Sequence, residues 1–203
     1  MKKFFIMAFC YFLIFGVTNT GIAIAPEKTV LNLNKALLGE ANAMHRYELF
    51  AQKANQEGYH QIAKLFRAIS MAETVHYTNH KAAILNIGAK PEITKFQKIN
   101  VGTTKENLQS PIKGESYEQK TMYPEFIKQA QADKVNVAVI SFTYADNAEL
   151  QHEKLLEDAL ANFGKNKEMD YCVSRISGST VAVIPSQGCP AESEKIEQFV
   201  KIK

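Results

Sequence analysis

The chain has 203 residues, of which 46% are hydrophobic and 22% are charged, a composition typical of an ordinary globular protein. Its formal net charge is only +3 and no lysine or arginine block is present, so the charge gives no reason to propose a nucleic-acid partner. Three cysteines are too few for a disulfide-rich scaffold or for a metal site made of four thiolates.

Residues 1–25 have the pattern of a secretory signal peptide. Two lysines precede an apolar run over residues 4–17, and a more polar stretch then leads to an A-x-A sequence that ends at Ala25. We therefore expect cleavage after Ala25 and a periplasmic or otherwise exported protein. The alternative is an uncleaved membrane anchor, but polar residues interrupt the run before it reaches the roughly 20 residues that span a bilayer.

Four amphipathic segments follow, each with apolar residues at three- and four-residue spacing. The predicted helices cover residues 34–56, 61–87, about 105–132 and 135–163. Their connections are short, long and short, which is the order found in four-helix bundles with one long crossover. We predict a mostly α fold in which residues 26–165 form this bundle.

The two halves of the bundle carry a sequence repeat. The segment GEANAMHRYELF, from Gly39, resembles GESYEQKTMYPEF, from Gly114, and each is followed by an E-x-x-H motif. The second copy has one extra residue, which lies between Glu115 and Tyr123. A helix can absorb one added residue as a π-bulge, and Pro124 also removes a backbone hydrogen bond. We therefore predict an irregular third helix beside the functional site.

Repeated polar residues occupy helix positions where a bundle core should be apolar. In both E-x-x-H motifs the three-residue spacing places the glutamate and the histidine on one helical face. The residues expected to converge are Glu40, Glu73, His76, Glu115, Glu118, Glu149 and His152. Five buried carboxylates would be strongly unfavourable without cations, and oxygen with imidazole ligands suits iron or manganese. The sequence therefore predicts a site for two metal ions.

These motifs resemble those of rubrerythrins, a family of ferritin-like di-iron proteins. The resemblance extends from LLGEANAMHRYELF through AETVH and KGESYEQKTMYPEF to AELQHEKLL. It implies two iron ions, with Glu118 as an additional ligand that exchanges with His76 as the redox state changes. Tyr47 and Tyr123 match the family tyrosines that hydrogen-bond to ligand carboxylates, although both could equally be ordinary core tyrosines.

The resemblance implies a peroxidase that reduces hydrogen peroxide to water in defence against oxidative stress. Glu118, His76, Tyr47 and Tyr123 are the residues expected to act in that reaction. A ferroxidase or a ferritin-like iron-binding protein without peroxidase turnover remains the alternative. The family also implies a homodimer, and the long crossover would permit helices to be exchanged between subunits.

Residues 166–203 depart from the family pattern. Rubrerythrins commonly end in a rubredoxin-like module, in which four cysteines hold one iron that passes electrons to the di-iron site. By the resemblance, Ser174 and Ser177 occupy the first two ligand positions, Cys189 the third and Glu192 the fourth. Serine binds iron poorly, so we expect a degenerate, β-rich module that lacks this iron and relies on an external electron donor.

The two cysteines of this tail offer another way to hold it together. Cys172 lies just outside the ligand set and could pair with Cys189 in an oxidising compartment. The alternative is two free thiols. The remaining histidines are expected at the surface, because His45 and His60 have no counterpart in the second repeat and His80 adjoins the polar Asn79 and Lys81 near a helix end.

Overall fold

The computed structural model describes residues 25–92, 96–190 and 198–202. Except for Ala25, the predicted signal peptide lies outside the described residues, and so does the segment to which the alternative of a membrane anchor applies. Glu192 also lies outside them. Within the described ranges, no helix is long and apolar enough to cross a membrane. The α-helices are α1 (Glu27–Gln56), α2 (His60–Asn86), α3 (Thr104–Tyr117), α4 (Tyr123–Ala132) and α5 (Asn136–Ala161).

Helices α1 and α2 form a hairpin that makes one half of the bundle. Gly58 lies in the turn between them with a φ of +83°, a left-handed conformation that glycine adopts without steric cost. Helix α1 begins at Glu27, earlier than the predicted residue 34. The earlier start adds about two helical turns, and a 2.7 Å hydrogen bond from the Thr29 hydroxyl to Asp133, just after α4, holds them in place.

The third helical segment of the bundle is irregular, as the extra residue of the second repeat predicts. Helix α3 passes directly into a π-helical segment, Glu118–Met122, and the chain then continues as α4. Pro124 lies in the first turn of α4, where its missing N–H costs least. The predicted irregularity between Glu115 and Tyr123 is confirmed, and Glu118 is its first residue.

The segment between α2 and α3 is the long crossover. Its backbone N–H groups at Glu92 and Gln97 donate to the side-chain oxygens of Asn34 and Asn42, at 2.7 and 2.9 Å. Both asparagines belong to α1, so the crossover runs along that helix. Helix α5 packs against α2, α3 and α4 and completes the predicted four-helix architecture.

A small antiparallel sheet follows the bundle. Its strands are β1 (Asp170–Ser174), β2 (Thr180–Val183) and β3 (Phe199–Ile202), in the order β2-β1-β3. All five residues of β1 are buried, and Lys64 of α2 forms a 3.0 Å ion pair with Asp170. Cys172 in β1 is joined to Cys189 by a disulfide with a Cα–Cα distance of 5.5 Å. The sheet therefore packs on the bundle, and the disulfide joins its strand β1 to the loop that follows β2.

Two apolar clusters form the core of the bundle. One contains Phe50 and Phe66 with Tyr47, and the other contains Phe126 and Phe142 with Tyr123. The hydroxyl groups of the two tyrosines both reach buried glutamates. The polar interior of the bundle therefore lies between the two clusters.

Candidate metal centre

Three helices of the bundle and the end of α3 supply a set of buried acidic and imidazole side chains. Helix α1 supplies one glutamate, α3 another, and α2 and α5 each supply the glutamate and histidine of an E-x-x-H motif. All are at most 4% exposed. They are Glu40, Glu73, His76, Glu115, Glu149 and His152.

Their donor atoms form two groups, and within each group the atoms lie within 4.8 Å of one another. The first group contains Glu40 and His76, and the second contains Glu115 and His152. Glu73 and Glu149 belong to both. This arrangement suits two neighbouring cations, with one terminal glutamate and one histidine for each and two carboxylates able to bridge them.

The two histidines face the shared carboxylates through the same ring nitrogen. His76 Nδ1 lies 2.9 Å from Glu73 and 3.7 Å from Glu149, while His152 Nδ1 lies 3.2 Å from Glu149 and 3.5 Å from Glu73. The ring centroids are 6.1 Å apart. The Nδ1 atoms therefore point inward, and the Nε2 atoms point away from the carboxylates.

The buried carboxylates of the cluster are stabilised by nearby positive charge. Burial, reinforced by the charge of Glu73, raises the pKa of both Glu40 and Glu149 well above the ordinary value. Burial alone would lower the pKa of His152, but Glu73 and Glu115 raise it to about 10. Without metal ions the site must therefore retain protons that cations would replace.

Two buried carboxylate oxygens give a direct test of whether metal ions fit. Glu115 Oε2 and Glu149 Oε1 have no hydrogen-bond partner among the described residues. Buried polar atoms are seldom left unsatisfied, and both atoms lie in the cluster of potential ligands. The donor set and these unsatisfied oxygens fit a pair of hard or borderline divalent cations such as iron or manganese.

Two tyrosines hold the terminal glutamates in a crossed arrangement. Tyr47 from the first repeat donates a hydrogen bond to Glu115 of the second, and Tyr123 from the second donates to Glu40 of the first. Burial and the adjacent carboxylates raise the pKa of both phenols well above 10, so each remains a hydrogen-bond donor. Both tyrosines thus contact candidate ligands.

Glu118 lies at the edge of the centre. It is partly buried and is not a member of either four-residue group. Burial and the charges of Glu115 and Glu73 raise its pKa to about 8, which places it within electrostatic range of the cluster. The structure thus brings six of the seven predicted ligands together and leaves the seventh beside them, where the π segment begins.

The prediction that His80 is at the surface is wrong, whereas His45 and His60 are exposed as expected. His80 is fully buried because it follows His76 by four residues and lies on the same face of α2. Its Nε2 lies 3.2 Å from the Tyr123 hydroxyl, and its Nδ1 lies 2.7 Å from that of Ser141. Burial and the neighbouring His76 lower its pKa to about 3, so it is a neutral partner of Tyr123.

In the second repeat, the residue four positions after His152 is Leu156, an apolar residue of the cluster around Tyr47. The hydrogen-bonded environments of the two tyrosines therefore differ. The i+4 spacing after His76 was the sequence signal that could have revealed His80.

Arg46 was also missed. Its Nη2 lies 3.8 Å from Glu115, and its guanidinium lies 5.0 Å from the centre of the Tyr47 ring. In the sequence, only its position directly before Tyr47 could have indicated that it lies near the site. It places a positive charge beside the Glu115 end of the cluster.

The candidate ligand positions of the tail lie in and after β1. Ser174 and Ser177 are buried, and Cys189 is bonded to Cys172 instead of having a free thiolate. The fourth position, Glu192, is outside the described residues. The geometry of these residues therefore places no free thiolate at the first three positions.

Sequence comparisons agree with the geometry of the bundle. The family model described as Rubrerythrin matches residues 32–160. Nigerythrin from Nitratidesulfovibrio vulgaris is 37% identical over 128 residues, which are 63% of this chain and 63% of that protein. A putative rubrerythrin from Methanocaldococcus jannaschii is 30% identical over 195 residues, covering 89% of this chain and 96% of that protein.

Solved structures show the same fold. A fully reduced, all-ferrous nigerythrin superposes with a TM-score of 0.70 at 32% identity, covering 80% of each chain. A bacterioferritin from Rhodobacter capsulatus, with a TM-score of 0.63 and 24% identity, covers 69% of this chain and 88% of that one, and it shows similarity of fold alone. The chain, with its ferritin-like bundle and its paired E-x-x-H motifs, belongs to the rubrerythrin family.

Proposed function

We propose that this protein is an exported di-iron peroxidase that reduces hydrogen peroxide to water, with electrons from an external donor. The observation that carries the proposal is the sharing of Glu73 and Glu149 between two adjacent ligand groups. These two shared carboxylates, with one further glutamate and one histidine in each group, would hold two ions close together. When bound, two ferrous ions supply one electron each, which with two protons converts H₂O₂ into two molecules of water.

The residues around the centre are suited to this reaction. Tyr47 and Tyr123 orient the terminal glutamates, and the apolar clusters around them limit access of water. Glu118 lies beside the centre with a pKa raised to about 8. We infer that it adds negative charge as the charge of the metals increases on oxidation, a role that a simple iron-binding site does not require.

The proposal that the protein is exported rests on two observations. The expected cleavage point after Ala25 lies directly before α1, so cleavage would remove no residue of the bundle. The disulfide between Cys172 and Cys189 is a bond that persists in oxidising compartments. Cell fractionation with intact-mass measurement tests this: we expect a periplasmic chain that begins at Pro26, and a cytoplasmic full-length chain would refute it.

Peroxide turnover by the purified, iron-loaded protein tests the proposed reaction. We expect about two irons per chain, and we expect Glu118→Ala to reduce the rate by roughly tenfold or more without unfolding the bundle. The control is Glu125→Ala, because Glu125 is an exposed carboxylate in the next helix, α4. Equal rates for the two variants would contradict the role given to Glu118, and iron uptake without peroxide turnover would favour a ferroxidase or an iron-binding function.

A further inference from the structure

The turn between β1 and β2 lies directly on the two candidate ligand histidines. The backbone carbonyl of Ser177 is 3.1 Å from His76 Nε2, and the Thr180 hydroxyl is 3.4 Å from His152 Nε2. Both rings are fully buried, and their Nδ1 atoms face the carboxylates. The C-terminal sheet therefore contacts the outer nitrogen of both histidines.

Side chains next to each histidine fasten the same turn to the bundle. Asn79, three residues after His76, donates a 2.8 Å hydrogen bond to the carbonyl of Ile176. Gln151, directly before His152, accepts a 2.6 Å bond from the Thr180 backbone N–H, and its amide group is 3.1 Å from the Ser179 hydroxyl. Each E-x-x-H helix thus holds the turn at its own histidine.

The turn is closed by hydroxyl groups at positions where the family resemblance predicts iron ligands. Ser174 Oγ accepts hydrogen bonds from the backbone N–H groups of Ile176 and Ser177, both at 3.1 Å. Ser177 Oγ accepts another from Ser179 at 3.2 Å. The disulfide at Cys172 lies two residues before Ser174 in the same strand. These bonds give the turn a defined shape through protein groups alone.

The chemistry of the two contacts fixes where each ring carries its outer proton. A carbonyl oxygen can only accept, so Ser177 requires a proton on His76 Nε2. The Thr180 hydroxyl donates its own proton to the Gly178 carbonyl at 3.0 Å, so it can only accept from His152 Nε2. With the outer proton on Nε2, Nδ1 is the nitrogen left for a metal ion, which would replace its hydrogen bond to the glutamate carboxylate.

We propose that the β1–β2 turn, residues 175–179, together with Thr180 is a positioning element for the metal centre. It holds His76 and His152 with Nε2 protonated and Nδ1 directed at the ions. In this protein the C-terminal sheet would then orient ligands of the centre instead of carrying electrons to it. The inference rests on the proposed binding of two metals, but it does not depend on reaction with peroxide.

Gly178 provides the sharpest test. A methyl carbon on Gly178 would overlap His76 Nε2 and would lie 3.2 Å from the carbonyl oxygen of Ala72. Gly178 also has a φ of +78°, so replacing it strains the backbone as well. Gly164 has the same φ of +78° but no atom within 4 Å of such a carbon, so Gly164→Ala reproduces the strain without the contact.

The probe is Zn(II) alone, added to metal-free mature protein with its disulfide intact, because Zn(II) is redox-inactive and its binding is independent of peroxide chemistry. We expect Gly178→Ala to weaken binding of at least one Zn(II) by about 10- to 100-fold, and Gly164→Ala to change it by less than about twofold. Circular dichroism checks that both variants retain the helical content of the parent. Equal Zn(II) affinities for the two folded variants would overturn the proposal.

Histidine ¹⁵N NMR of the Zn(II)-loaded protein gives a second readout that remains informative if Gly178→Ala fails to fold. In the parent we expect zinc on Nδ1 and a slowly exchanging proton on Nε2 of both histidines. Thr180→Val should accelerate exchange of the His152 proton by about tenfold or more while that of His76 is unchanged, and Thr180→Ser should restore slow exchange. Zinc bound through Nε2, or exchange unaffected by Thr180→Val, would refute the inference. Failure of the peroxidase reaction alone would leave these results unchanged.

Discussion

Tyr123 donates a hydrogen bond to Glu40, a residue of the opposite sequence repeat. The repeat-related bond runs from Tyr47 to Glu115. Each half of the bundle therefore orients the terminal glutamate that the other half contributes. Because each half supplies the tyrosine that orients the glutamate of the other half, neither half can form a complete centre alone.

Replacing either tyrosine should weaken the centre while leaving the bundle folded. Tyr47→Phe and Tyr123→Phe each remove a donor to a buried carboxylate, and we expect metal affinity to fall by about 10- to 100-fold. Titration with Fe(II) under anaerobic conditions measures the change. Tyr59→Phe is the control, because Tyr59 packs against Phe163 away from the ligands. Wild-type affinity in both variants would show that the crossed hydrogen bonds do not support the site.

His80 should act through Tyr123. In His80→Leu the hydroxyl groups of Tyr123 and Ser141 lose their imidazole partner, which we expect to cost about 1–3 kcal/mol of folding free energy. His80→Gln, which can still donate and accept, should recover part of that loss. The exposed His60→Leu should have little effect. Chemical denaturation measures the change, and equal stability of His80→Leu and His60→Leu would contradict the role assigned to His80.

The metal-free protein should lose stability as the pH rises from about 5 to 9. The pKa of Glu118 is raised from 4.5 to about 8, and that of His152 from 6.5 to about 10. In that range the folded state binds more protons than the unfolded chain, so the free energy of unfolding decreases with increasing pH. Metal ions replace these protons, and the metal-loaded protein should show a much weaker dependence.

Thermal unfolding of the metal-free protein across this pH range measures the effect. Glu118→Gln should flatten the part of the curve near pH 8, because the variant has no group there to titrate. A melting temperature that is constant or increases towards pH 9 would contradict the electrostatic description of the centre.

The disulfide should stabilise the C-terminal sheet. Cys172 and Cys189 are separated by 17 residues, and closing a loop of that size contributes about 3 kcal/mol through the entropy of the unfolded chain. We therefore expect a reductant to lower the unfolding temperature of the parent. The double variant Cys172→Ser with Cys189→Ser should be less stable and insensitive to reductant. Identical melting of the parent with and without reductant would show that the bond contributes nothing to stability.

The sequence predicted the bundle well because its signals are periodic and repeated. The spacing of apolar residues located the four helical segments, and the one extra residue between Glu115 and Tyr123 predicted the π-helical segment. The repeat also selected the six buried residues of the two ligand groups from all the acidic and imidazole side chains of the chain.

Features that depend on tertiary packing could not be predicted in the same way. The i+4 spacing after His76 could have indicated that His80 is buried, but only the folded bundle shows that it contacts Tyr123. The contact of Ser177 with His76 joins residues 101 positions apart through a backbone carbonyl, a group that every residue has. No pattern of side-chain types marks such a contact.

Stopped-flow mixing of the diferrous protein with hydrogen peroxide, and separately with dioxygen, is the most direct test of the central claim. Absorbance of the oxidised centre reports the rate in each case. We expect peroxide to oxidise the centre much faster than dioxygen does, with one peroxide consumed per two irons. Oxidation by dioxygen as fast as by peroxide would contradict the proposal that this protein is a peroxidase.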